Sequence, residues 1–211
     1  MTVWTPGHRF VGGLTALGGL LALVASVPTR WVGPMPTDSY VFDPPRFSAL
    51  WFERAVVPAV ALAAVLLTVL GLIALYRRDR ERLARWQRWT AVVALIGAGI
   101  GTLATVLLVT AGRGTMGDPT NTLNALLGAA LALLALLLLF PGLLAWGVGY
   151  LRSDRPVLGA AVAGGPVLPV LVVAVSIALD VDGSAAGSLP VVLPAAAAVA
   201  VVGRDLWMRA G

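Results

Sequence analysis

The sequence predicts an all-α polytopic membrane helix bundle, a single integral domain over residues 1–211 with about six transmembrane helices and both termini cytoplasmic. Three observations predict it: too few charges for water, apolar runs long enough to span lipid, and arginines that alternate sides. Charged residues make up 12% of the chain and hydrophobic residues 59%, with mean hydropathy +0.91. A soluble domain carries about 25% charged residues. A chain this size in water would leave most of its surface without charge. The apolar residues also fall in long runs, which makes lipid the solvent.

The runs cover about 10–27, 56–76, 89–111, 123–150, 157–179 and 189–203. A helix needs about 20 residues to cross ~30 Å of hydrocarbon. The four middle runs meet that; the first is just long enough. The sixth is the shortest, holds Pro190 and Pro194, and needs Ser188 and the Asp205-Leu206-Trp207 segment at its interfaces. Backbone groups in lipid must pair internally, so only helices or a closed barrel qualify, and the runs lack the two-residue alternation of a barrel strand. The first run has a rival reading as a cleavable signal peptide, with Ala25 and Ser26 before Pro28. Its long apolar stretch and weakly basic start argue against cleavage.

Orientation follows from arginine, the only basic residue type besides His8. Arg9, Arg77, Arg78, Arg80, Arg82, Arg85, Arg88, Arg152, Arg155, Arg204 and Arg209 fall on one side. Arg30, Arg46, Arg54 and Arg113 fall on the other, a split of eleven to four. The richer side is the cytoplasmic one, which places the protein in the cytoplasmic membrane. Arg77, Arg78, Arg80, Arg82, Arg85 and Arg88 set this topology, all within the basic cytoplasmic loop 77–88. That loop reads as a helical hairpin at the membrane surface, with Arg78–Arg82 and Glu81–Arg85 at helical spacing and Trp86 and Trp89 at the interface. The external loop 28–55 carries Trp31, Tyr40, Phe42, Phe47, Trp51 and Phe52, an aromatic belt or a lid over an external cavity. Asp43 before Pro44 and Pro45 marks a helix start that leads into the second span, with a kink expected near Pro58.

The apolar runs contain no Asp, Glu, His, Lys or Arg. A charge at the membrane centre costs at least about 2.5–3.5 kcal/mol, and proteins that keep one use it. A proton relay, voltage sensor or carboxylate ion site needs such a residue, so proton-coupled transport through the core is not expected. One His and no Cys cannot build a standard metal site. Asp180 and Asp182 around Gly183 lack the further carboxylates of a calcium loop. There is no HExxH, no GxSxG and no Gly-rich phosphate loop. The expectation is therefore a non-enzyme with no catalytic, cofactor or metal site. The net charge of +5 is topological, not a nucleic-acid surface.

Small residues do recur at helical spacing. Gly12, Thr15, Gly19, Ala22 and Ser26 form one stripe; Thr90, Ala94, Gly97, Gly101 and Thr105 a second; Ala125, Gly128, Ala132 and Ala135 a third. Such stripes let helix backbones approach in lipid, so Gly12, Gly19, Gly97, Gly101, Thr105, Gly128 and Ala132 are the candidate packing residues. Thr68, Thr102, Thr105 and Ser176 either line a polar path or bond to their own helices. Pro169 is the clear interior break among Pro166, Pro169, Pro190 and Pro194. No internal repeat is visible.

With its all-Arg, Val/Ala/Gly/Leu-rich spans and Asp-bearing external loops, the chain resembles the small multi-pass membrane proteins of haloarchaea, and similar chains of high-GC actinobacteria. The resemblance is one of composition and style over the whole length. It implies membrane residence and carries no activity. The expected function is an accessory or structural subunit of a membrane assembly, with the lipid bilayer and other membrane proteins, or a second copy, as partners. The alternative is a small permease or channel for a neutral or lipophilic solute.

Overall fold

The computed structural model describes residues 7–27, 52–113, 119–178 and 188–208. The Asp43 helix start and most of the external loop 28–55 lie outside the described residues. Among the described residues every regular element is helical. The helices are α1 (Gly7–Ser26), α2 (Val57–Asp79), α3 (Arg85–Arg113), α4 (Pro119–Leu151), α5 (Pro156–Ala178) and α6 (Leu189–Met208). A single π-helical turn, Phe52–Val56, feeds α2, and Pro58 falls in the first turn of α2, where its missing N–H costs nothing. All six helices are long and apolar enough to cross a membrane.

The helices run past the expected ends. α2 continues three residues beyond Tyr76 to include Arg77, Arg78 and Asp79. α6 is 20 residues long, not a marginal 15, because it carries Arg204 and Asp205 within its last turns. An apolar-run boundary stops at the first charge; a helix stops where its backbone partners run out. Pro169 does not break α5, and α4, α5 and α6 run through Pro141, Pro166, Pro169 and Pro194 without interruption. In lipid the hydrogen bond a proline removes is not replaced by water, so the remaining ladder holds the helix together.

The helices pack in the order α2–α1–α6–α5–α4–α3, and a slighter α2–α3 contact closes the circuit. Close backbone approaches fix the antiparallel pairings. A Cβ on Gly12 would stand 2.7 Å from the Trp207 backbone N, and one on Gly19 2.7 Å from the Ala196 carbonyl O. The start of α1 therefore lies beside the end of α6. A Cβ on Gly97 would stand 2.7 Å from the Leu139 backbone N and one on Gly142 2.8 Å from the Ala94 backbone N, which shows how closely α3 and α4 approach. Gly147 and Gly159 leave room for α5 against α4, each facing backbone of the other helix.

One end holds the hydrophobic core. Leu72, Leu75, Leu83, Ala91, Ala94, Trp146, Tyr150, Leu158, Val162, Val202 and Leu206 cluster where α2, α4 and α6 end and α3 and α5 begin. This is the arginine-rich end. Trp146 is fully buried there, edge-on to Tyr76 with ring centroids 6.5 Å apart. Toward the opposite end α4 keeps only a narrow buried line, Gly128 and Ala135, and α5 buries nothing beyond Ala163.

Candidate functional site

The α2 helix ends on a carboxylate, Asp79, within the stretch 77–88 that reads as a hairpin at the membrane surface. Asp79 is 2% exposed. A buried carboxylate is costly unless paired and hydrogen-bonded. Here four contacts reach it. Arg78 donates from Nε to Oδ1 at 3.1 Å and from Nη2 to Oδ2 at 3.2 Å. The Tyr150 hydroxyl donates to Oδ2 at 2.7 Å, and Arg155 Nη1 donates to Oδ2 at 2.8 Å. Arg78 also spans to α6, donating from Nη2 to Asp205 Oδ2 at 2.6 Å and from Nη1 to the Asp205 carbonyl O at 3.1 Å.

Local sequence explains each position. Two arginines directly before Asp79 put the Arg78 guanidinium within reach of its neighbour. Tyr150 lies one turn beyond Trp146 on α4 and stacks obliquely on it, centroids 6.1 Å apart, which aims its hydroxyl out of the core. Arg155 immediately precedes Pro156, the first residue of α5. The result joins the ends of α2, α4 and α6 to the start of α5. Two arginines meet two aspartates, so the network is neutral as a unit.

The turn between α2 and α3 is equally well tied. The Asp79 carbonyl O accepts from the Arg82 and Leu83 amides at 2.9 and 3.1 Å. Gln87 Oε1 accepts from the Ala84 amide at 2.8 Å, capping α3, and Arg88 Nε donates to the Leu83 carbonyl O at 2.9 Å. The hairpin expected over 77–88 is present, but Arg78 is more than a topology residue, because its side chain is largely buried in the network. Arg77, Arg80, Arg82, Arg85 and Arg88 stay exposed.

Beside the network lies a pocket of ≈ 300 Å³, lined by Asp79, Arg82, Leu83, Gln87, Gly149, Tyr150, Ser153, Asp154 and Arg155. Gly149 makes it possible: a Cβ there would collide with the Gln87 side-chain amide. Arg82 and Asp154 have no side-chain hydrogen bond or ion pair among the described residues. Among those residues no group of three or more His, Cys, Asp or Glu side chains is placed to hold a metal ion.

The candidate packing residues divide. Gly12 and Gly19 face α6; Gly97 faces α4; Gly128 faces Leu107 and Leu108 of α3. A Cβ on Gly101 would stand in ordinary contact, 3.5 Å from the Ala135 Cβ. Thr105 bonds to its own helix, its hydroxyl 2.8 Å from the Gly101 carbonyl O, and Ala132 is half-buried. Thr15 belongs to a different contact, filling the space at Gly71 of α2. The stripe rule missed Gly18, Gly71, Gly142, Gly147, Gly159 and Gly203, which meet neighbouring helices just as closely. The other hydroxyls settle between the two readings: Thr68, Thr102 and Ser176 donate to the Ala64, Ala98 and Val172 carbonyls at 2.8–2.9 Å. Each is engaged with its own helix.

No family model, curated protein or solved structure matches the chain.

Proposed function

We propose that this protein is a non-catalytic multi-pass membrane protein of the cytoplasmic membrane that works as a structural or accessory subunit, its arginine-rich end facing the cytoplasm. One observation carries the reading: the buried charges at that end are matched to each other. Asp79, Arg78, Arg155 and Asp205 neutralise one another, and Tyr150 takes up the remaining hydrogen bond. A catalytic or transport carboxylate is left partly unpaired so that it can bind and release. Asp79 instead holds four helix ends in register. The orientation rests on the eleven-to-four arginine split.

The competing reading is a small permease or channel for a neutral or lipophilic solute. It needs polar groups facing a path, and the described core hydroxyls face their own carbonyls. Gentle solubilisation from native membranes, followed by mass measurement of the intact particle, tests the choice. A stoichiometric complex with a second membrane protein, or a stable homo-oligomer, is expected. A lone monomer that passes a neutral solute into reconstituted vesicles would favour the permease.

A further inference from the structure

We propose that the pocket between the α2–α3 turn and the α4–α5 turn binds a phosphate-bearing group, supplied by a membrane lipid, with Arg82 and Arg155 as its counter-charges. The first support is depth. Trp86, Trp89 and Trp207 are all exposed at this end. Exposed tryptophans settle at the headgroup level of a bilayer. Arg82 and Gln87, two walls of the pocket, lie within four residues of Trp86. At that level lipid phosphate is the most abundant anion.

The second support is unspent donors. Arg82 has no partner among the described residues, and Arg155 uses only Nη1, on Asp79. Gln87 spends its oxygen on the Ala84 amide, which leaves its NH₂ for a ligand. Two guanidiniums beside an amide suit a tetrahedral oxyanion. Asp79 also lines the pocket, but its oxygens are already covered by Arg78, Tyr150 and Arg155, so it does not confront an anion as a bare carboxylate. Asp154 is the opposing charge. A headgroup that carries an amine next to its phosphate answers both signs. The ≈ 300 Å³ volume suits a headgroup with its acyl chains left outside.

The test uses the full chain, delipidated in a neutral detergent, and follows both tryptophan fluorescence and thermal unfolding. The probes are dihexanoylphosphatidylethanolamine, inorganic phosphate, and dihexanoylglycerol as the chain-only control. The phospholipid is expected to bind and raise the melting temperature, and the diacylglycerol to do neither. Arg82→Gln should weaken phospholipid binding by about tenfold or more, the loss of one charge-assisted contact, and Gln87→Ala by less. Arg80→Gln, the same charge change outside the pocket, should leave it within about twofold. Arg82 is exposed, so its variant is expected to fold, and its melting curve without probe verifies that. Binding of inorganic phosphate as tight as the phospholipid would retain the site and replace the lipid with soluble phosphate. Equal loss in Arg82→Gln and Arg80→Gln, or no binding of either phosphate probe, would overturn the proposal.

Discussion

The two ends of the bundle are built on different principles. At the arginine-rich end, large side chains and matched charges do the work: Trp146 and Leu206 are fully buried, and Asp79 gathers Arg78, Tyr150 and Arg155. Close glycine approaches run through both ends, but toward the other end the buried large side chains and paired charges drop out, contact narrows to lines of small residues such as Gly19 against the Ala196 backbone, and α5 buries no residue beyond Ala163. The difference follows from the solvent. Near the headgroups, polar side chains can be desolvated at tolerable cost and paired, so they give specificity. In hydrocarbon there is no hydrophobic force between helices, and close van der Waals fit is what remains. The charged end should therefore be sensitive to the loss of single polar groups, and the apolar end to the gain of single methyl groups.

The largest effect is expected from Asp79→Ala. It strands the Arg155 guanidinium and leaves Arg78 with Asp205 as its sole carboxylate, and breaking a buried ion pair from one side costs about 3–5 kcal/mol. Reversible unfolding in mixed detergent measures it. A loss under about 1 kcal/mol would class the network with exposed ion pairs and erase the contrast between the ends.

The packing lines come next. Gly19→Ala, away from the charged end, places a methyl 2.7 Å from the Ala196 carbonyl O and 3.4 Å from the Ala200 backbone N, which no rotamer can relieve. A cost of about 1–3 kcal/mol, the usual range for overpacking, is expected. Gly101→Ala meets only the Ala135 Cβ at 3.5 Å and should be neutral, whereas Gly101→Leu should destabilise. Equal melting temperatures for Gly19→Ala and Gly101→Ala would remove the close-approach argument.

Tyr150→Phe isolates one hydrogen bond to a charged acceptor and should cost about 1.5–3 kcal/mol, with the rest of the network intact. The smallest effects belong to the lipid face. Leu137→Ala should change little, since Leu137 is exposed. Gly99→Ala meets nothing within 4 Å and should raise stability by up to about 1 kcal/mol through helix propensity.

Much of the fold was legible in the sequence because run length and charge spacing are local quantities. All six helices fall where the apolar runs lie, within a few residues. The ends differ where helices outlast their apolar runs, at 77–79 and at 204–208. The network was not legible. Its members stand 71, 76 and 127 positions apart, and each alone looks like an ordinary interfacial charge. A signal existed: four of the ten acids, Asp79, Glu81, Asp154 and Asp205, lie on the basic side, and two of them directly follow an arginine at the end of an apolar run. The glycine stripes were legible on α1 and α3. On α4 and α5 the decisive glycines, Gly142, Gly147 and Gly159, fall at the arginine-rich end, where four leucines and Phe140 follow Ala135 and break the pattern of the α4 stripe.

The central claim is that matched charges, not isolated anchors, hold the arginine-rich end together. A double-mutant cycle between Asp79→Ala and Arg155→Gln tests it most directly, with unfolding free energies measured in one detergent mixture. The 2.8 Å contact between Arg155 Nη1 and Asp79 Oδ2 predicts strong non-additivity, a coupling of about 1.5 kcal/mol or more. The distant pair Asp79→Ala and Gly101→Leu should add within about 0.5 kcal/mol. Additive losses for Asp79 and Arg155 would mean that the two charges act separately, and would contradict the account.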